Sequence, residues 1–338
     1  MMLKGSSTKM LLLLKSSATS VPKTFIQSTC ITYCRKMSSI PKLDLGGIYP
    51  PIPTPFDDKE EINFAALESN VKKWKQLPFR GFVVHGSNGE YTYQTPEEKV
   101  EVVRKLRSWV SEDKLIIAGA GCESTRDTIR MSQAMAGAGA DAVLVVTPFY
   151  YKNSMTSDAL CNHFTQVADN SPVPVLLYTV PAFTTIDMSV ESVVTLAKHP
   201  KIIGIKESSG NVIKIGHIIN KTKNEDFQVL GGSASYLLQS AVVGAVGGVC
   251  ALANVLGEDV CRLHELIKAG NLDASAELQR RLIAPNLAVT SKFGVPGLKF
   301  ALDKFGYYGG KPRSPLMPLG KEQQELLLND FKEDGFLK

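Results

Sequence analysis

The stretch PKIIGIKESSG, residues 200–210, decides how the chain is read. Ile202, Ile203 and Ile205 are β-branched and lie between turn signals, Pro200 before and Gly210 after. A run of this kind has the composition of a strand buried on both faces in a parallel sheet. It delivers one lysine, Lys206, to the start of a polar, glycine-containing loop. Burial disfavours the charged form of an amine, and a neutral amine attacks a carbonyl carbon to form a Schiff base. The competing reading is a lysine whose head reaches water from the strand end, or one that pairs with the adjacent Glu207. The segment alone leaves both open.

On either side of it, apolar strand-like runs alternate with amphipathic helical stretches. Strands are predicted over 47–53, 81–85, 115–119, 142–147, 174–178, 202–206, 228–231 and 247–250. Between them, Ala65, Leu67, Val71 and Trp74 make one helical stripe, and Val100, Val103, Leu106 and Val110 make another. Thr95 can cap the second, with Pro96 in its first turn. Further helices are predicted over 124–136, 157–168, 189–198, 212–221 and 235–243. Strands each followed by a helix predict an α/β fold, a (β/α)8 TIM barrel, with a doubly wound open sheet as the rival. Past residue 257 the alternation stops, and 260–269, 272–288, 298–305 and 321–331 read as an appended C-terminal helical bundle. The expected partition is a leader over 1–40, a barrel over 46–257 and a helical region over 258–338.

Of 338 residues, 44% are hydrophobic and 21% charged, ordinary values for a globular chain that buries a large core. The net charge of +5 is concentrated at one end. Residues 1–43 hold seven Lys and Arg and no acidic residue, leaving 31 cations against 33 anions in the remainder. Neither a nucleic-acid nor a membrane surface is implied for the body of the protein. The basic, Ser- and Thr-rich end has only a short apolar run, 10–14, and reads as a mitochondrial transit peptide or a disordered basic tail. Cys30 and Cys34 fall in that leader. Cys122, Cys161, Cys250 and Cys261 show no C-x-x-C spacing, so no zinc site or disulfide framework is predicted, and a reducing compartment such as the matrix fits.

In a barrel of this kind chemistry sits on the loops after the strands. Those ends read TPF at 54–56, GSNGE at 86–90, TPFYY at 147–151 and Y-x-V-P at 178–181. In GSNGE the glycines let the backbone turn tightly while Ser87, Asn88 and their amides make a cradle for a carboxylate. With GIKESSG at 204–210, the set resembles the dihydrodipicolinate synthase and N-acetylneuraminate lyase family, from about residue 46 onward.

The resemblance implies that Lys206 forms the Schiff base with a pyruvate-like 2-keto acid. It also implies that Tyr178 relays protons and that Ser87, Asn88 and Gly89 hold the α-carboxylate. By the same analogy Tyr150 lines the pocket, Tyr151 contacts a neighbouring subunit, and Gly232 and Val249 border the site through their carbonyls. Ser208 either meets the far carboxylate of the substrate or bonds its own backbone. Family synthases place an arginine shortly after the Y-x-V-P tyrosine, where this chain has Ala182, Phe183, Thr184 and Thr185. The whole pattern implies a class I aldolase cleaving 4-hydroxy-2-oxoglutarate to pyruvate and glyoxylate, in the mitochondrial matrix, as a homotetramer built as a dimer of dimers. A sister lyase or synthase and a non-catalytic keto-acid-binding barrel are the alternatives. No cofactor or metal is expected, since an iminium supplies the electron sink, and neither G-x-G-x-x-G nor G-x-x-x-x-G-K-[ST] occurs.

Overall fold

The computed structural model describes residues 43–337, so the leader expected over 1–40 lies outside the described residues. Eight parallel strands form one sheet: β1 (Gly47–Tyr49), β2 (Gly81–Val84), β3 (Leu115–Gly119), β4 (Ala142–Val146), β5 (Val175–Thr179), β6 (Ile202–Glu207), β7 (Gln228–Gly231) and β8 (Gly247–Val249). Alternating with them are α1 (Phe64–Trp74), α2 (Pro96–Trp109), α3 (Thr125–Gly137), α4 (Ser157–Asn170), α5 (Pro181–Thr184), α6 (Val190–Leu196), α7 (Val212–Lys221) and α8 (Leu237–Val242). After β8 come α9 (Gly257–Lys268), α10 (Leu272–Leu287), α11 (Gly294–Lys304) and α12 (Lys321–Glu333). This is the expected (β/α)8 barrel with C-terminal helices, and the open-sheet rival is excluded.

The sheet closes because β8 pairs with β1, Tyr49 lying opposite Val249. Contact between β1 and β2 is thinner: Arg80 N–H donates to Ile48 O at 3.0 Å, Val83 N–H to Pro50 O at 3.1 Å and Ile52 N–H to Val83 O at 2.9 Å. The expected first strand, 47–53, stops at Tyr49. Pro50, Pro51 and Pro53 have no N–H with which to continue a ladder.

Two apolar layers hold the barrel. Tyr49, Val83, Ile117, Leu144, Leu176 and Leu230 fill its interior. Phe82, Ile116, Val143, Val175, Ile205 and Val229 point the other way, into the layer that the helices cover. Each such buried side chain contributes roughly 1.5–3 kcal/mol. In α1 the buried stripe is Leu67, Val71 and Trp74, while Ala65 is exposed, one step off the apolar face. In α2 the cap is a full capping box, with Glu98 N–H donating to Thr95 Oγ1 and Thr95 N–H to the Glu98 carboxylate.

The β5–β6 ladder carries an irregularity that periodicity did not predict. Val175 pairs with Ile202 but Leu176 pairs with Gly204, so Ile203 is an extra residue on β6. A bulge of this kind resets which residues face which side. Ile202 and Ile205 face the helices, and Lys206 lies opposite Tyr178, which belongs to the interior layer.

The helices after the barrel are tied to it directly. Asn70 of α1 donates to the Tyr308 carbonyl at 2.7 Å and accepts the Tyr308 N–H at 2.8 Å. Trp74 stacks on Tyr307 with ring centroids 5.5 Å apart.

Candidate active site

Lys206, the penultimate residue of β6, lies inside the barrel mouth and is buried, only 4% exposed. Its Nζ sits 4.0 Å from the centroid of the Tyr178 ring, delivered by the neighbouring strand at the same level. Among the described residues no carboxylate pairs with it. Glu207, the partner that the sequence offers, faces the opposite way.

That glutamate is fully buried, 3.4 Å from Lys214 Nζ on α7, and Lys214 also contacts Asp187. Ser209 N–H donates to the Glu207 carboxylate at 3.2 Å. The Glu207 carbonyl accepts the Gly232 N–H at 2.8 Å and the Tyr236 hydroxyl at 3.0 Å. The end of β6 is therefore fixed by side chains from both neighbouring loops while the amine on its inner face stays unpaired.

Tyr178 is buried, and its hydroxyl lies 3.4 Å from Ser87 Oγ. Residues Ser87–Gly89 form one turn of 3₁₀-helix. Gly89 N–H bonds Gly86 O at 3.0 Å and Glu90 N–H bonds Ser87 O at 3.1 Å. The Ser87 and Asn88 amides open that turn and have no acceptor among the described residues. Thr54 of the TPF motif holds the turn from below, its hydroxyl donating to Gly89 O at 2.8 Å. Three strand-end motifs thus meet: Lys206, Tyr178 and Ser87 are brought together, with Asn88 and Gly89 on the same turn.

Ser208 and Gly232 also meet. The Ser208 hydroxyl is buried without a partner, and a β-carbon at Gly232 would lie 1.8 Å from it. Only glycine allows that approach. Val249 ends β8 in the interior layer, 2% exposed. Tyr150 and Tyr151 are not brought to this cluster: they stand 74% and 72% exposed, edge to face with each other. Their loop is pinned by Glu123, whose carboxylate accepts the Phe149 and Tyr150 amides at 3.1 and 2.9 Å. Phe183, on α5, is likewise exposed, and Thr185 holds a φ of +57° just after it.

The other titratable groups at the mouth keep their protons where burial dictates. Burial, then the charge of Cys261, pushes the Cys250 thiol up to about 12, with Lys206 pulling it down, so no thiolate competes with the amine. Burial also raises the Tyr91 and Tyr236 phenols, which remain hydrogen-bond donors. At the end of β2, burial lowers His85 to about 3, leaving a neutral ring. Its Nε2 lies 2.8 Å from the Lys99 carbonyl and so carries the proton. Sequence reasoning did not find Glu123, Lys214 or Asp187, since nothing in their spacing separates them from surface charges. Among the described residues no cluster of His, Cys, Asp and Glu could hold a metal ion.

The fold is a parallel barrel with a buried, inward-facing lysine near the end of its sixth strand. The chain matches the dihydrodipicolinate synthetase family over residues 44–334, and it belongs to that family. It is 34% identical over 292 residues to a probable mitochondrial 4-hydroxy-2-oxoglutarate aldolase of Emericella nidulans, covering 85% of this chain and 94% of that one. To a 4-hydroxy-tetrahydrodipicolinate synthase of Methanoculleus marisnigri it is 33% identical over 283 residues, 83% and 96% of the two chains. Among solved structures, a chloride-inhibited dihydrodipicolinate synthase of Acinetobacter baumannii complexed with pyruvate superposes with a TM-score of 0.82 at 28% identity, over 87% of this chain and all of that one. The protein is thus an aldolase-like lyase of this family.

Proposed function

We propose that the protein is a class I aldolase that cleaves 4-hydroxy-2-oxoglutarate to pyruvate and glyoxylate. The observation that carries the reading is the Lys206 amine, buried in the mouth beside Tyr178 and without a carboxylate partner among the described residues. Lys206 adds to the C2 ketone and water leaves, giving an iminium. As the C4 hydroxyl loses its proton, the C3–C4 bond breaks, its electrons pass into the iminium and glyoxylate departs. The enamine left behind takes a proton at C3 and is hydrolysed, releasing pyruvate and the amine.

Tyr178 carries those protons, with the Ser87 hydroxyl 3.4 Å away as the next member of the relay. The free amides of Ser87 and Asn88 receive the α-carboxylate, and the unpartnered Ser208 hydroxyl meets the far one. Gly232 and Val249 are assigned to the pocket wall. The name of the Emericella nidulans relative and the absence of an arginine near Phe183 favour this substrate. The synthase reading is favoured by a relative of that name at nearly the same identity. Location in the mitochondrial matrix and assembly as a homotetramer belong to the same proposal. Tyr150, Tyr151, Ile213 and Val242 supply exposed apolar surface for subunit contact.

Reduction with borohydride in the presence of pyruvate, followed by peptide mapping, tests the chemistry: the adduct belongs on Lys206. A panel of 4-hydroxy-2-keto acids, with pyruvate and glyoxylate release followed, tests the substrate. An unmodified chain, or an adduct on another residue, refutes the mechanism; condensation of pyruvate with an aldehyde in preference to cleavage favours the synthase.

A further inference from the structure

One helix beyond the barrel sends a charge beneath the carboxylate cradle. Lys299, on α11, is fully buried, its Nζ 2.6 Å from Glu90 Oε1. It also donates to the Lys311 carbonyl at 2.9 Å and lies 4.5 Å from the centroid of the Phe56 ring. Glu90 closes the GSNGE turn with a φ of +57°, a left-handed conformation that a side chain with a β-carbon disfavours. Its Oε2 accepts the Arg313 N–H at 2.8 Å. Arg313 sits 4.3 Å from the same Phe56 ring and pairs with Glu98 at 2.6 Å.

Glycine would satisfy the backbone at position 90 without strain, so the turn tolerates a glutamate there because its carboxylate is held. Burial raises the Glu90 carboxyl and lowers the Lys299 ammonium, each opposed by the other's charge. A buried ion pair adds little net stability over an apolar contact of the same volume, but it fixes a direction that an apolar contact does not. The direction matters here because Glu90 N–H bonds Ser87 O at 3.1 Å, and the Ser87 hydroxyl lies 3.4 Å from Tyr178 Oη.

We infer that Lys299 is a positioning residue that, through Glu90, holds the Ser87–Asn88 turn where it receives the carboxylate of a 2-keto acid. The ligand named rests on the Schiff-base reading above; the mechanical link does not. The test uses the full chain, pyruvate and borohydride, with adduct at Lys206 read by mass spectrometry against pyruvate concentration. In Lys299→Met the concentration giving half-maximal adduct rises about tenfold, while saturating pyruvate still labels Lys206 in the folded protein.

The double variant Glu90→Gln with Lys299→Met carries no unpaired buried charge. It regains the unfolding midpoint of the original chain but keeps the raised half-saturating concentration, and it carries the test alone if the single variant fails to fold. A half-saturating concentration unchanged in both variants, or restored in the double variant, overturns the inference and leaves the Schiff-base reading standing. No adduct at Lys206 in the unaltered chain overturns that reading, and the inference with it.

Discussion

Two buried lysines flank the end of β6, and the structure handles them differently. In the mouth, Lys206 lies over an aromatic ring with no carboxylate facing it. On the outer side of the same strand end, Lys214 is buried almost as deeply but sits between Glu207 and Asp187. The two amines are eight residues apart in sequence and lie on opposite sides of the strand end. The Lys214 amine is occupied by two carboxylates, whereas the Lys206 amine has none among the described residues and faces the mouth. Depth of burial therefore does not separate the two amines; the missing counter-charge does.

The sharpest way to break this comparison is to remove each amine in turn. Lys206→Met abolishes the borohydride-trapped adduct and lowers turnover by about four orders of magnitude or more, with the circular dichroism spectrum unchanged. Loss of the folded signal along with activity would make Lys206 structural and dissolve the contrast. Lys214→Met has the opposite profile. It leaves Glu207 buried without its cation, at a cost of about 3 kcal/mol in urea-unfolding stability, while the folded fraction still forms the adduct. Lys214→Met together with Glu207→Gln regains most of that loss.

A smaller effect comes from another buried base, His85, in which burial outweighs the nearby charge of Glu98 and keeps the ring neutral. Its pKa falls from 6.5 in the unfolded chain to about 3 in the folded one. Between those values the unfolded chain binds the extra proton, so stability is full above the unfolded value. It is lost as the pH falls toward the folded one, at up to about 1.4 kcal/mol per pH unit. His85 itself holds a φ of +57°, which Asn tolerates, and in His85→Asn the acid-side slope of the unfolding midpoint becomes shallower. An unchanged slope would mean that His163, lowered to about 4 by burial, dominates that range.

Much of this was legible in the sequence because strands in a parallel barrel are short, apolar and punctuated. The run around Ile202 and the Y-x-V-P tyrosine gave the strand that carries Lys206 and its neighbour, and Thr95-Pro96 marked the start of α2. The first strand was read too long because its apolar character continues through prolines that cannot pair. The one-turn helix α5 was missed, being too short for a periodic signal. Three parts of the site had no local signature at all. Glu123 reaches the Tyr150 amide across 27 residues, and Asp187 reaches Lys214 across the same separation. Glu90 and Lys299 lie on opposite sides of most of the barrel sequence. Such partners are chosen by three-dimensional closure, and a single chain read in order carries no trace of it.

The extra residue at Ile203 sets a condition on the register of β6. Were the same residues paired with Val175–Thr179 in strict alternation, Ile205 would lie opposite Tyr178 and the Lys206 amine would turn into the greasy layer under the helices. Every atom of the lysine would still be encoded, and it would face away from the barrel mouth. In this segment where the bulge falls weighs more than most changes of residue type.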